Sequence, residues 1–206
     1  NVTGILGSPY VISGAADGTY TVTAVNDANC TGTSFVGSAI IITNPLPTAA
    51  IAGGGTICAG DPIPNITITL TGSAPWDLTY TDGVTPVNVT GILGSPYVIS
   101  GAADGAFTVT AVNDANCVGT YSGSADILTN PLPTATVSGG GTICSGDPIP
   151  DVTIVLTGNA PWDITYTDGV TPTNIAGVSS SPYAISGGVD GTYTVTVVSD
   201  ANCTGT

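Results

Sequence analysis

The sequence predicts an all-β fold: tandem Ig-like antiparallel β-sandwich domains in a linear array. Three observations carry that expectation. The chain repeats itself at a long period, apolar residues alternate with threonine at period two, and most strong helix formers are missing.

The repeat comes first, because a long internal period describes a row of modules, not a single catalytic body. The segment Asn1–Cys30 returns at Asn88–Cys117, 87 residues on, with only Thr19 and Tyr20 replaced, by Ala106 and Phe107. A looser copy spans Asn174–Cys203. The other half of the unit, from Gly55, returns from Gly141, 86 residues on, and carries Cys58 to Cys144 and Trp76 to Trp162. The one-residue slip lies between Cys30 and Pro45, where an insertion marks a surface loop. The motif Asn-Pro-Leu-Pro-Thr recurs at Asn44–Thr48 and Asn130–Thr134. Its two prolines make a short, stiff, extended linker. The expected domains are therefore 1–47, the C-terminal part of a repeat; 48–133, a complete repeat; and 134–206, a repeat lacking its last strand. On this reading the 206 residues are a cut through a longer array.

Within 48–133 the period-two pattern places the strands. Ile66, Ile68 and Leu70 alternate with Thr67, Thr69 and Thr71; Trp76, Leu78 and Tyr80 alternate with Asp77, Thr79 and Thr81; Phe107, Val109 and Ala111 alternate with Thr108 and Thr110. One apolar face per segment means half-buried strands. Gly72-Ser73-Ala74-Pro75, Asp82-Gly83 and Asp104-Gly105 supply the turns between them. Trp76 and Trp162, each after Ala-Pro, are expected in the core.

Composition narrows function. The chain has no Lys, Arg, His, Glu, Gln or Met; all 14 acids are Asp, and the formal net charge is −14. Nucleic-acid binding needs Lys and Arg to displace counterions, so it is excluded, and anionic membrane surfaces repel such a chain. No membrane insertion is expected. General acid–base catalysis usually draws on His, Glu or Lys, and the serines have no base beside them, so no enzyme is expected. Trypsin-type proteases find no cleavage site. The remaining partners are neighbouring repeats of the same chain, other copies in a filament, or surface glycans.

Five cysteines recur at fixed places in the repeat. Without His or paired C-x-x-C they read as disulfides in an oxidising, extracellular setting, not as zinc ligands or catalytic thiols. Pairing within a domain joins Cys58 to Cys117 and Cys144 to Cys203, both 59 residues apart, and leaves Cys30 paired outside the window. This is the preferred connectivity. Its difficulty is that an Ig arrangement puts Cys58 and Cys117 at opposite ends; a bridge between neighbours, Cys58 to Cys203, would avoid it. Asp61, Asp104 and Asp200 are candidate Ca²⁺ ligands at the joint between domains, since Ca²⁺ takes oxygen donors. The opposing reading is that Asp-Gly is simply a favoured turn dipeptide.

The stretch DGTYTVTAVNDANCTGT, Asp17–Thr33, resembles the end of repeats in giant cell-surface adhesins of gliding bacteria with type IX secretion. The segment TICSGDPIPDVTIVLTGNAPWDITYTDG, Thr142–Gly169, is similar to the first half of Ig-like or PKD-like modules from the same secreted proteins. The chain departs from the adhesin pattern in lacking a Gly between Asn and Cys. The resemblance implies a surface or extracellular fibre, and with it a structural stalk or filament segment. The other class of function, a binding module repeated for avidity with Ca²⁺ or glycans, stays open at this level.

Overall fold

The computed structural model describes residues 1–205. Among them are seventeen strands and no helix, so the chain is all-β. Residues before Pro47 contribute β1 (Gly18–Thr21) and β2 (Ser38–Ile41), an antiparallel pair with Gly18 opposite Ile41 and Thr21 opposite Ser38. Its side chains are almost all exposed, and no buried cluster lies under it.

A larger body follows: β3 (Thr48–Cys58), β4 (Ile66–Thr71), β5 (Trp76–Thr81), β6 (Pro86–Ile92), β7 (Tyr97–Ile99), β8 (Gly105–Asn113), β9 (Thr120–Ser122) and β10 (Ala125–Asn130). They hydrogen-bond in the order β6-β5-β8-β10-β3-β4-β7, with β9 beside β3. The path folds over one core as in a β-sandwich: Ile66, Ile68, Leu70, Trp76, Leu78, Phe107, Val109, Val112 and Ile127 share a single buried cluster. The strands β11 (Thr134–Gly139), β12 (Val152–Thr157), β13 (Trp162–Thr167), β14 (Pro172–Val178), β15 (Tyr183–Ile185), β16 (Thr194–Ser199) and β17 (Thr204–Gly205) then build two sheets, β11-β12-β15 and β14-β13-β16-β17. Ile154, Leu156, Trp162, Ile164, Val178 and Val198 form a second, separate core.

Both tryptophans are buried where the alternation puts them, and each indole Nε1 donates to the carbonyl five residues back, Thr71 or Thr157. A buried indole needs such an acceptor.

Two expectations require correction. The antiparallel arrangement is broken twice, because β3 pairs in parallel with β9 and with β10. The cause lies in the middle of β3. Its first six residues pair antiparallel with β4, and then Gly53 (φ 106°) and Gly54 (φ 73°) bend the strand. Gly54–Cys58 leaves that sheet and joins β10, with Cys58 opposite Asn130. Strands that switch sheets at a bend are a known way to turn a sandwich corner, and left-handed φ at both positions is open only to glycine at low cost. The second correction concerns β8. Strict alternation would bury Ala111; instead Val112 is buried and Ala111 only half-buried. The ladder from β5 passes from Thr79↔Ala111 to Tyr80↔Val109, so Thr110 is an extra residue and the parity inverts across it. The same shift recurs between Val197 and Val195. Such bulges are invisible to a period-two reading.

Candidate functional site at the junction between the two cores

The two cores meet at a short segment, Asn130-Pro131-Leu132-Pro133, and the chemistry of the chain gathers there. Cys58 ends β3 and is bonded to Cys203, which sits on the far side of the junction. The Cα atoms are 5.8 Å apart, and the bridge spans 145 residues of sequence. Cys203 is buried, and the Cys58 sulfur lies 3.5 Å from the Asn202 carbonyl oxygen.

Each cysteine is held by an aspartate three residues away, in mirror order. Cys58 N donates to Asp61 Oδ2 at 3.1 Å, while Asp61 N donates to the Cys58 carbonyl at 3.0 Å. Across the bridge, Cys203 N and Asn202 N donate to Asp200 Oδ1 at 2.7 and 2.8 Å, and Asn159 N donates to Asp200 Oδ2 at 2.8 Å. The hydrogen bond from Asn159, followed by those from Cys203 and Asn202, holds the Asp200 carboxyl below its usual value. Asp104 performs the corresponding task on β10. It accepts from Thr129 Oγ1 at 2.7 Å and Thr129 N at 2.9 Å, which again lowers its carboxyl pKa and fixes the strand end one residue before Asn130. Ala59 N then donates to the Asn130 carbonyl at 2.9 Å.

Pro133 is the pivot. It is almost wholly buried, with Gly158 and Gly205 packed so closely that a Cβ at Gly205 would overlap the Pro133 carbonyl oxygen. Pro47 is equally buried at the preceding junction, where Thr120 N donates to its carbonyl at 3.0 Å and Gly119 occupies the place of Gly205.

The preferred cysteine pairing is therefore overturned. Cys58 bonds Cys203, not Cys117, and among the described residues Cys117, Cys144 and Cys30 are free thiols. Strand length explains why. The eleven residues of β3 carry the chain from Pro47 to the opposite end of the body, roughly 33 Å at strand rise. Cys117 stays at the Pro47 end, its sulfur 3.9 Å from the Asn44 carbonyl. A disulfide needs Cα atoms within about 7 Å.

The three Ca²⁺ candidates also read differently in three dimensions. Asp61 and Asp200 flank the disulfide and Asp104 clamps the neighbouring strand, so all three belong to the joint. Their carboxylates accept from backbone N–H groups or a threonine, and no group of three His, Cys, Asp or Glu side chains placed to hold a metal occurs among the described residues. Asn130 and Pro133 belong to the linker motif that the repeat marks, whereas Thr129 and Asn159 were missed by residue-type reasoning. Their signal was positional, since each returns at, or derives from, an equivalent place in the repeat.

No protein-family model matches the chain, and no curated protein matches it.

Proposed function

We propose that this chain is a structural segment of a long, secreted, repetitive surface protein, in which Ig-like sandwiches joined in tandem form a stalk or filament. The observation that carries this reading is the Cys58–Cys203 bridge, a covalent tie across the junction of two separate cores. A tie in that position does not complete either core. It restrains one body against the next, as a load-bearing or space-holding row requires. Three further features support it: the near-verbatim repeat, a disulfide of the kind that persists in oxidising compartments, and the resemblance to surface adhesins of gliding bacteria. The uncompensated charge of −14 keeps neighbouring fibres apart. The units are non-catalytic; their product is length.

Immunogold electron microscopy of the cells that make the protein tests this reading. Antibodies raised against the oxidised chain should decorate fibres outside the cell. Label confined to the cytoplasm would sink the proposal.

A further inference from the structure

The second body carries a shallow basin of about 250 Å³ on the outer face of the strands β14, β13 and β16. Two bulges shape it, one on each flank of the middle strand. On the β14 side, Trp162 pairs with Val178 and Ile164 with Ile175, so Asp163 faces both Ala176 and Gly177. On the β16 side the ladder passes from Thr165↔Val197 to Tyr166↔Val195, and Thr196 is the extra residue. A bulge bends its strand and increases the local twist. One on each side of β13 hollows the face between them. Two rows of outward side chains line the hollow: Val197, Thr165 and Asn174 in one, Ser199, Asp163 and Ala176 in the other.

The polar groups of the basin are held in fixed directions. Asp163 Oδ1 accepts from Gly177 N at 2.7 Å, beside the first bulge. Thr165 Oγ1 donates to Asn174 Oδ1. Among the described residues no bond engages Asp163 Oδ2 or Asn174 Nδ2. The result is one open acceptor and one open donor on neighbouring strands, beside the aliphatic Val197 and Ala176. The first body repeats these anchors: Gly91 N donates to Asp77 Oδ1 at 2.9 Å, and Thr79 Oγ1 to Asn88 Oδ1 at 2.8 Å. Its bulges fall at the same places. Its rim differs, because Thr90 and Asn113 stand where the second body has the smaller Ala176 and Ser199. The two bodies share a frame and differ in the room left on it.

We propose that this basin binds a single ring of a neutral saccharide through two adjacent hydroxyls, one donating to Asp163 Oδ2 and its neighbour accepting from Asn174 Nδ2. The donor and acceptor set selects that class. An anionic ligand meets the Asp163 carboxylate and a chain of net charge −14 with no Lys, Arg or His to receive it. A metal ion or an ammonium group has no use for the N–H donors of Asn174. A large apolar ligand needs a deeper, more enclosed pocket. A polyol gives and takes hydrogen bonds at once, and its C–H face covers Val197 and Ala176. The site is open and has no aromatic platform, so binding of a free monosaccharide is weak. A polysaccharide gains strength by engaging several chains together.

The test is a nuclear magnetic resonance titration of the full, oxidised, nitrogen-15-labelled chain with D-glucose, D-galactose, D-mannose and N-acetyl-D-glucosamine, each alone. At least one sugar should move the side-chain amide signals of Asn174 and the backbone amides of Asp163, Gly177 and Ser199. The side-chain amide of Asn88 and the backbone amide of Gly91 should stay in place, which makes the first body an internal control. The double variant Ala176→Thr with Ser199→Asn gives the second body the rim of the first, a rim that this frame already accommodates. It should bind the same sugar at least about tenfold more weakly, as should Asn174→Asp, which replaces the open donor by a carboxylate. N-acetylneuraminic acid, an anionic sugar, should move none of these signals. No shift with any of the four neutral sugars would overturn the proposal. So would equal shifts at Asn88 and Asn174, undiminished binding by the double variant, or binding of the anionic sugar at the same amides. The site stands apart from the stalk reading: fibres decorated on cells together with a silent titration would reject the basin alone.

Discussion

At the scale of single residues, aspartate is the working side chain of this protein, and its work is to hold backbone. Asp27, Asp82, Asp114, Asp168 and Asp200 each accept two or more main-chain N–H groups in loops. Those bonds favour the ionised form and lower the folded-state pKa. A carboxylate with a depressed folded pKa contributes stability above its unfolded value, about 3.9, and loses that contribution as pH falls through the folded value. Acid also relieves the repulsion among 14 uncompensated carboxylates, so the whole-protein trend mixes two effects of opposite sign. A comparison with one variant separates them. Asp200→Asn keeps an acceptor for Asn202 and Cys203 but turns an NH₂ toward Asn159 N. Its melting temperature should lie below that of the wild type at pH 7, and the gap should close as the pH drops below about 4. A gap independent of pH, followed by calorimetry, would show that the charge on Asp200 does not matter. These roles were half legible in the sequence. Asp-Gly and Asp-x-x-Cys announce turns, but which distant amide completes each cap, Asn159 for Asp200 or Thr129 for Asp104, depends on tertiary neighbours that no local pattern encodes.

At the scale of elements, strands with one dry face were easy to read and the one strand with two jobs was not. The run Ile66–Thr71 and its copy Val152–Thr157 alternate without interruption, and Ile66, Ile68 and Ile154 are fully buried in consequence. β3 hides its nature behind Gly53-Gly54-Gly55, which reads as a loop. In three dimensions those glycines carry the strand from one sheet into the other and deliver Cys58 to the far end. The cysteine pairing was legible only as an alternative: Cys58–Cys203 avoided the distance between Cys58 and Cys117, and the crossover that carries Cys58 to the far end is what decides for it. The two cores, however, are predicted by the alternation alone, and they should respond separately. Ile154→Ala removes a fully buried side chain from the second core and should cost about 2–5 kcal/mol there. Ile68→Ala should do the same to the first core. In the reduced protein each substitution should lower one calorimetric transition and leave the other near its original temperature, since distant sites act independently. Both transitions moving together would mean that the cores unfold as one unit.

At the scale of the whole molecule, the bridge changes which part of the chain bears tension. Force applied between the two ends enters through residues 1–58, crosses the sulfur–sulfur bond and leaves after Cys203. Everything between the two cysteines lies in a closed loop off that path, including the whole second core, the Pro133 junction and the first core apart from Ala49 and Ile51 on β3. The chain can therefore lose its folded structure under load without growing longer by that loop. Opening 145 residues at full extension adds roughly 480–520 Å. Single-molecule stretching should show this length only after dithiothreitol, or in Cys203→Ser, and not in the oxidised protein. Equal contour lengths before and after reduction would mean that the bridge is absent in solution. If the repeat places the same tie at each junction of an array, extensibility is limited at every module by a bond that survives unfolding. Such a fibre holds its length even where its sandwiches yield, and the near-verbatim copying of the unit then has a mechanical reason: each copy must present Cys58 and Cys203 equivalents at matching ends, in the same register, to its neighbours on both sides.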